Sequence, residues 1–179
     1  DGSSRFGQNN RWGTFPSASI GWRISDEQFF PKINKIDELK FRASYGIAGN
    51  NAIGNYTAIP LIVQNNYAFG NNLADGVNLS ALANGNLGWE SSKQLDVGLD
   101  VSAFNGRVKL VADYYSRNTE QMLQTIDIPI SSGFSQAITN LGNVSNRGWE
   151  FAINSLNTVD QFKWETDFNI SFNRNKVLD

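Results

Sequence analysis

The chain has 179 residues and a formal net charge of −2, from 15 basic and 17 acidic side chains. That is long enough for a substantial domain, and it gives no electrostatic reason to expect nucleic acid as a partner. Cysteine and histidine are both absent, which removes disulfides, zinc–thiolate sites and every catalytic arrangement built on Ser/His, Cys/His or an imidazole base. No run approaches the roughly 20 apolar residues of a spanning helix, whereas a membrane barrel stays open because its alternating strands leave no hydropathy peak.

Taken in chain order, the sequence repeats one pattern. In "SASIGWRI", Ala18, Ile20, Trp22 and Ile24 alternate with Ser17, Ser19, Gly21 and Arg23. A strict period of two predicts a strand with one apolar and one polar face. The link "SDEQFFPKINKIDE" predicts a helical turn that starts at an N-capping Ser25, with Asp26 and Glu27 in its first turn. "LKFRASYG" sets Leu39, Phe41, Ala43 and Tyr45 against Lys40, Arg42 and Ser44. The long stretch 46–90 is rich in Asn and Gly, which favours turns and irregular structure.

"QLDVGLDVSAF" places Leu95, Val97, Leu99, Val101 and Ala103 on one parity, and Gln94, Asp96, Gly98, Asp100 and Ser102 on the other. Asn105-Gly106 follows, a pair that favours a tight hairpin because both positions accept positive φ. "VKLVADYYSR" returns with Val108, Leu110, Ala112 and Tyr114 against Lys109, Val111, Asp113, Tyr115 and Arg117. After a second long link, 119–147, Trp149, Phe151 and Ile153 alternate with Glu150, Ala152 and Asn154. The last stretch sets Phe162, Trp164, Thr166, Phe168, Ile170 and Phe172 against Lys163, Glu165, Asp167, Asn169, Ser171 and Asn173. The pattern therefore predicts six strands.

Long and short links alternate, so an up-and-down sheet would have a short-turn end and a long-loop end, as outer-membrane barrels do. None of the apolar-parity residues named above is Asp, Glu, Lys or Arg. Lipid against that face would be tolerated, whereas a Lys near the bilayer midplane costs about 2–4 kcal/mol. Trp22, Phe41 and Trp164 fall toward the short-turn edge, and Tyr45, Tyr114 and Trp149 toward the long-loop edge, the placement of a double aromatic girdle. A soluble β-sandwich accounts for the alternation equally well, with the same aromatics as its core. On that alternative the chain is a carbohydrate-binding module, with the loop aromatics Tyr56, Tyr67, Phe69 and Trp89 stacking on sugar. A glycosidase built on Asp75 and Glu90 has little in its favour, because acidic pairs occur in any loop. The repeated Asn and Asp of "NNLADGVN" suggest calcium only weakly, because the stretch lacks the ordered ligand spacing and terminal Glu of an EF-hand loop, and no metal-ligating residue is assigned.

Longer motifs go further than periodicity. "RWGTFPSASIGWRISDEQFF", "LKFRASYGIAGNNAIGNY", "NLGWESSKQLDVGLDVSAFNGRVKLVADYYSRNTEQML", "SGFSQAITNLGNVSNRGWEFAINS" and "FKWETDFNISFNRNKVLD" resemble, in order, segments of the barrel of SusC/RagA-type TonB-dependent outer-membrane transporters. The resemblance covers nearly the whole chain. It implies an all-β fold, an antiparallel up-and-down transmembrane β-barrel, represented by about six strands with long extracellular loops. It also implies that residues 1–179 are part of the barrel domain only, without the plug, the TonB-binding segment or the remaining strands, since six strands cannot close a transporter-sized lumen.

The function the resemblance implies is non-enzymatic, TonB-dependent import of a glycan or peptide across the outer membrane of a Gram-negative, Bacteroidetes-type bacterium. The implied partners are a SusD-like surface lipoprotein, the TonB–ExbB–ExbD complex through parts outside this chain, and outer-membrane lipid, with no cofactor. In such a barrel Arg23, Arg42, Asp96, Asp100, Asp113, Lys163 and Asp167 face the lumen, and Tyr56, Tyr67, Phe69 and Trp89 are candidate ligand contacts in the loops.

Overall fold

The structure is a computed structural model and describes residues 1–178 apart from 32 and 34. Twelve strands follow one another: β1 Ser17–Arg23, β2 Ile36–Asn50, β3 Ile62–Gln64, β4 Tyr67–Phe69, β5 Asn72–Ala74, β6 Val77–Leu79, β7 Glu90–Ala103, β8 Val108–Glu120, β9 Leu123–Asp127, β10 Gln136–Asn140, β11 Asn143–Val159 and β12 Lys163–Leu178. Six of them, in the order β1-β2-β7-β8-β11-β12, form one sheet, and these are the six expected from the alternation. The sheet is an antiparallel meander that does not close. The chain divides into two compact units.

The unit formed by 16–48, 92–118 and 144–178 contains the body of that sheet. β1 pairs with β2 so that Ser19 faces Ser44, Gly21 faces Arg42 and Trp22 faces Phe41, which keeps polar beside polar and aromatic beside aromatic. Tyr114 and Trp149, on β8 and β11, have ring centroids 4.9 Å apart. The apolar parity lies open along the sheet: Ile20, Trp22, Leu95, Leu99, Trp149, Phe151, Ile153, Phe168, Ile170 and Phe172 are all exposed. Among the described residues of this unit only Gly98 and Gly148 are buried. The β-sandwich alternative fails here. A sandwich packs two sheets face to face over a core, and this unit is a single layer whose large apolar side chains are uncovered.

The strands outrun the stretches visible in the sequence. β2 begins at Ile36, β7 at Glu90 and β11 at Asn143, and β12 runs to Leu178. The extensions bring Asp37, Lys93, Glu120, Arg147 and Lys176 onto the apolar parity, together with Arg174, all toward strand ends. The expected turn at Ser25 is replaced by a 3-10 turn over Ile24–Asp26 with Arg23 at its N-cap and no capping side chain. Ser25 Oγ instead donates to Asp26 Oδ1 at 3.4 Å. The Asn-Gly turn forms with positive φ at Asn105 and Gly106 (59° and 76°), but Phe104 is left-handed too (φ 59°). The turn is therefore wider than a two-residue hairpin. Its Phe104 amide donates to Lys35 O and its Gly106 amide to Asp37 Oδ2, both at 2.9 Å, which ties it to the start of β2.

The second unit, 1–15, 49–91 and 119–143, comes from the long links and the amino-terminal residues. It has a small buried core, Phe6, Ile53 and Leu87, against which Trp89, Leu123 and Ile138 pack. The links are more ordered than their Asn/Gly content predicts. β4–β5 and β3–β6 lie in one register, and with the bonds Asn65 N–H to Gly76 O (2.8 Å) and Ser80 N–H to Leu61 O (2.9 Å) they make a single hairpin over 61–80. Gly70 at its tip has φ 59°, the conformation that a two-residue turn with glycine first requires. β9 and β10 form the other hairpin.

Candidate functional site: the cross-linked polar face and the loop aromatics

Opposite the apolar parity, the sheet carries a continuous hydrogen-bonded face. Its centre is Arg42 on β2. The guanidinium grips Asp100 of β7 with both Nε (2.8 Å) and Nη2 (2.7 Å), and Nη2 also reaches Asp113 of β8 at 2.9 Å. One planar fork thus links three strands, a geometry that Lys could not reproduce. The reason it fits is Gly98. A Cβ at that position would lie 2.2 Å from Asp113 Oδ1 and 2.7 Å from Arg42 Nη2, so only glycine leaves the space the pair occupies.

The network continues along the same parity. Ser44 Oγ donates to Asp96 Oδ2 (3.2 Å), Gln94 Nε2 donates to Asp96 Oδ1 (2.8 Å), and Arg117 Nε donates to Gln94 Oε1 (2.7 Å). On the next strands Asn154 Nδ2 donates to Glu165 Oε1 and Asp167 Oδ1 (2.8 and 2.6 Å), and Asn175 Nδ2 to Asn146 Oδ1 (2.6 Å). Above Gly148 lies the Tyr115 ring, which a Cβ there would meet at 2.9 Å. An open concavity of about 700 Å³ bordered by Arg42, Asp96, Tyr115, Arg117, Glu150 and Asn173 lies over the middle of the face.

Arg42, Asp96, Asp100, Asp113 and Asp167 therefore share one face and are held by named partners. Arg23 sits at the short-turn end and pairs with Asp26 (3.5 Å) and Glu38 (3.3 Å). Lys163 opens β12 exposed, with no ion pair among the described residues. Gly98, Gly148, Ser44, Gln94 and Arg117 belong to the network equally, and their shared parity was the signal that could have placed them there. With each central carboxylate occupied by a donor, the face offers fixed charges and hydrogen-bonding groups, not a reactive acid–base pair.

The loop aromatics separate into two groups. Tyr67 and Phe69 lie on β4 of the 61–80 hairpin, both exposed. Tyr56 is exposed with φ 66°, and borders a concavity with Ile59, Leu61, Leu82 and Ile138. Trp89 is a packing residue. Its ring lies 5.3 Å from Phe6 and 5.1 Å from Phe15, and its Nε1 donates to Arg11 O at 3.3 Å. Glu90 holds its own unit together, accepting from Asn50 Nδ2 (3.2 Å) and the Leu123 amide (3.0 Å), while Asp75 accepts from Gln64 Nε2 (3.3 Å). Among the described residues no group of three or more acidic side chains is placed to hold a metal ion, and "NNLADGVN" is spent on β5, a two-residue link and β6.

A single-layer antiparallel meander with one apolar and one cross-linked polar face defines a section of barrel wall. Residues 1–177 match the family described as TonB dependent receptor-like, beta-barrel. TonB-dependent receptor P39 of Formosa agariphila is 43% identical over 180 residues, and TonB-dependent receptor SusC of Bacteroides thetaiotaomicron is 39% identical over 184. The chain belongs to the TonB-dependent receptor β-barrel family and is of the SusC/RagA type. It is matched over 100% and 99% of its length by these relatives but spans only 17% and 18% of theirs. The RagAB peptide importer in its closed-closed state matches 98% of the chain at 33% identity with a TM-score of 0.89, over 19% of the importer chain. The open-open state gives 32% and 0.86.

Proposed function

We propose that this chain is a wall segment of an outer-membrane, TonB-dependent transporter that imports a nutrient, a glycan or a peptide, together with a SusD-like surface lipoprotein. Energy would come from the TonB–ExbB–ExbD complex acting on other parts of the protein, and the segment itself carries out no covalent chemistry. The observation that carries this reading is the sheet's contrast between faces. One side exposes aromatic or aliphatic residues on β1, β2, β7, β11 and β12, which suits lipid, while the other is laced with charge and amide groups, which suits an aqueous lumen. The long links lie at the end that outer-membrane barrels expose to the medium. Arg23, Arg42, Asp96, Asp100, Asp113, Lys163 and Asp167 then line the lumen, and exposed Tyr56, Tyr67 and Phe69 are available to incoming solute.

The test compares neighbours on β12. In the full-length protein Phe168→Arg places a charge on the lipid side at a cost of about 2–4 kcal/mol near the midplane, whereas Asn169→Arg points into the lumen. Heat-modifiable gel migration should show impaired assembly for the first and normal assembly for the second. Equal assembly would remove the barrel-wall reading.

A further inference from the structure

The apolar side of the sheet carries an anomaly at its long-loop end. The hydrogen bonds Asn175 to Asn146 and Asn154 to Asp167 fix one antiparallel register between β11 and β12. One residue on from Asn146 and one back from Asn175, Arg147 and Arg174 stand directly opposite each other on the other face. Like charges in that position repel. No ion pair or hydrogen bond satisfies either guanidinium among the described residues, and both side chains are exposed. The strand on the other side of Arg147 offers only Ser116, which follows from the Tyr115–Gly148 and Tyr114–Trp149 contacts. Lys176, two residues beyond Arg174 on the same parity, adds a third cation.

Immediately below the pair the face turns aromatic. Arg147 and Arg174 border a concavity of about 330 Å³ with Tyr114, Trp149 and Phe172. Two guanidinium forks with no anion beside them among the described residues, Arg174 on the outer strand β12, stand over an aromatic floor at the rim of a lipid-facing surface, and an anion with an apolar body fits that arrangement. We infer that Arg147 and Arg174 bind the phosphate of a membrane lipid headgroup, whose acyl chains lie along Trp149 and Phe172. Guanidinium planes donate bidentately to phosphate oxygens, and the shared anion turns the Arg–Arg repulsion into a bridge. Aromatic residues at the interface hold the boundary between headgroup and chains. The assignment rests on the barrel-wall reading, because only there does this face meet lipid.

The test uses the full-length protein purified in detergent, with binding read by native mass spectrometry. The probes are monophosphoryl lipid A, the same lipid dephosphorylated, and inorganic phosphate. Wild type should prefer the phosphorylated lipid by about tenfold or more, the scale of one charge-assisted contact. The double variant Arg147→Gln/Arg174→Gln should lose that preference to within about twofold. Arg147→Lys/Arg174→Lys should retain part of it, and Lys109→Gln on the polar parity all of it. Equal binding of the two lipids by wild type, or an undiminished preference in the double glutamine variant, overturns the inference. Displacement of the lipid by an equal concentration of inorganic phosphate would reduce the site to a simple anion site and overturn the lipid assignment. Heat-modifiable migration of the same preparations keeps the two readings apart. Barrels that never form sink the transporter reading, while formed barrels without phosphate preference sink this inference alone.

Discussion

The loop unit and the sheet solve the problem of apolar side chains in opposite ways. In the loop unit Phe6 and Leu87 are 2% and 0% exposed, with Ile53 and the flank of Trp89 packed around them. In the sheet Phe168 and Phe172 are both 56% exposed, although the strands there are long and regular. Regular secondary structure and a hydrophobic core are separable. The loops, which expect water, bury a core of their own, whereas the sheet leaves the covering of one face to its surroundings and spends its polar side chains on linking strands to one another.

The sharpest way to break that comparison is to take the surroundings away. Residues 1–179 expressed alone should give no stable monomer in buffer, because the apolar face is uncovered and the outer strands β1 and β12 present unpaired backbone groups. Size-exclusion chromatography without detergent, followed by denaturation monitored through Trp fluorescence, checks this. A monodisperse monomer that unfolds cooperatively would mean that the sheet buries its apolar face after all. The loop core predicts a separate failure. Phe6→Ala in the full-length protein should cost about 3–5 kcal/mol of local stability, read as faster proteolysis within the 49–91 and 119–143 links while the barrel still migrates as folded.

The two regions also differed in how legible they were. Alternation located all six long strands, since a residue such as Leu99 beside Asp100 has no other simple explanation than two faces. The small hairpins were hidden. The 61–80 hairpin carries apolar residues on both parities, with Ile62 and Val63 adjacent and both exposed, so no period appears, and its Asn and Gly content reads as irregular. The Arg42–Asp100–Asp113 cluster was foreseeable as residues but not as a bonded unit, because register between strands 58 residues apart in sequence is set by pairing, not by local pattern. Trp89 runs the other way: an aromatic in a polar link suggests a ligand contact or local packing, and in the structure its ring packs against Phe6 and Phe15.

Two glycines on the polar face offer a finer contrast within the sheet. At Gly98 an added Cβ collides with Asp113 and Arg42 at 2.2 and 2.7 Å, whereas at Gly21 the nearest atom is Lys40 Cε at 3.7 Å, an ordinary contact. Gly98→Ala should therefore destabilise the full-length protein by about 1–3 kcal/mol, the range for forcing atoms into a filled space. Gly21→Ala should be neutral or slightly stabilising, since glycine within a strand costs about 0.5–1 kcal/mol relative to alanine. The midpoint of heat-induced loss of the folded gel band measures both. Equal midpoints would mean that the cluster around Arg42 adjusts freely and does not hold the three strands in place.

The smallest effect tests whether the short-turn end is held as a belt or only as separate hairpins. Arg107, in the β7–β8 turn, donates through Nε to Leu156 O (3.3 Å) and through Nη2 to Asn157 O (3.1 Å), while its own carbonyl accepts from the Leu156 amide (2.7 Å). The backbone bond survives any substitution, so Arg107→Ala removes only the two side-chain bonds. Each such bond contributes about 0.5–1.5 kcal/mol where shielded, and here exposure to water reduces that, so a total loss near 1 kcal/mol is expected. The change should be local. Amide exchange should rise at 155–158 and at the Asn105–Gly106 turn, with no change around Asp100 and Asp113. If protection at 155–158 is unaltered, the backbone bond alone secures the junction and the guanidinium is only a surface contact. If protection falls across β8 and β11 together, the turn clasps the whole strand pair, and the independence of the short-turn end from the Arg42 cluster is lost.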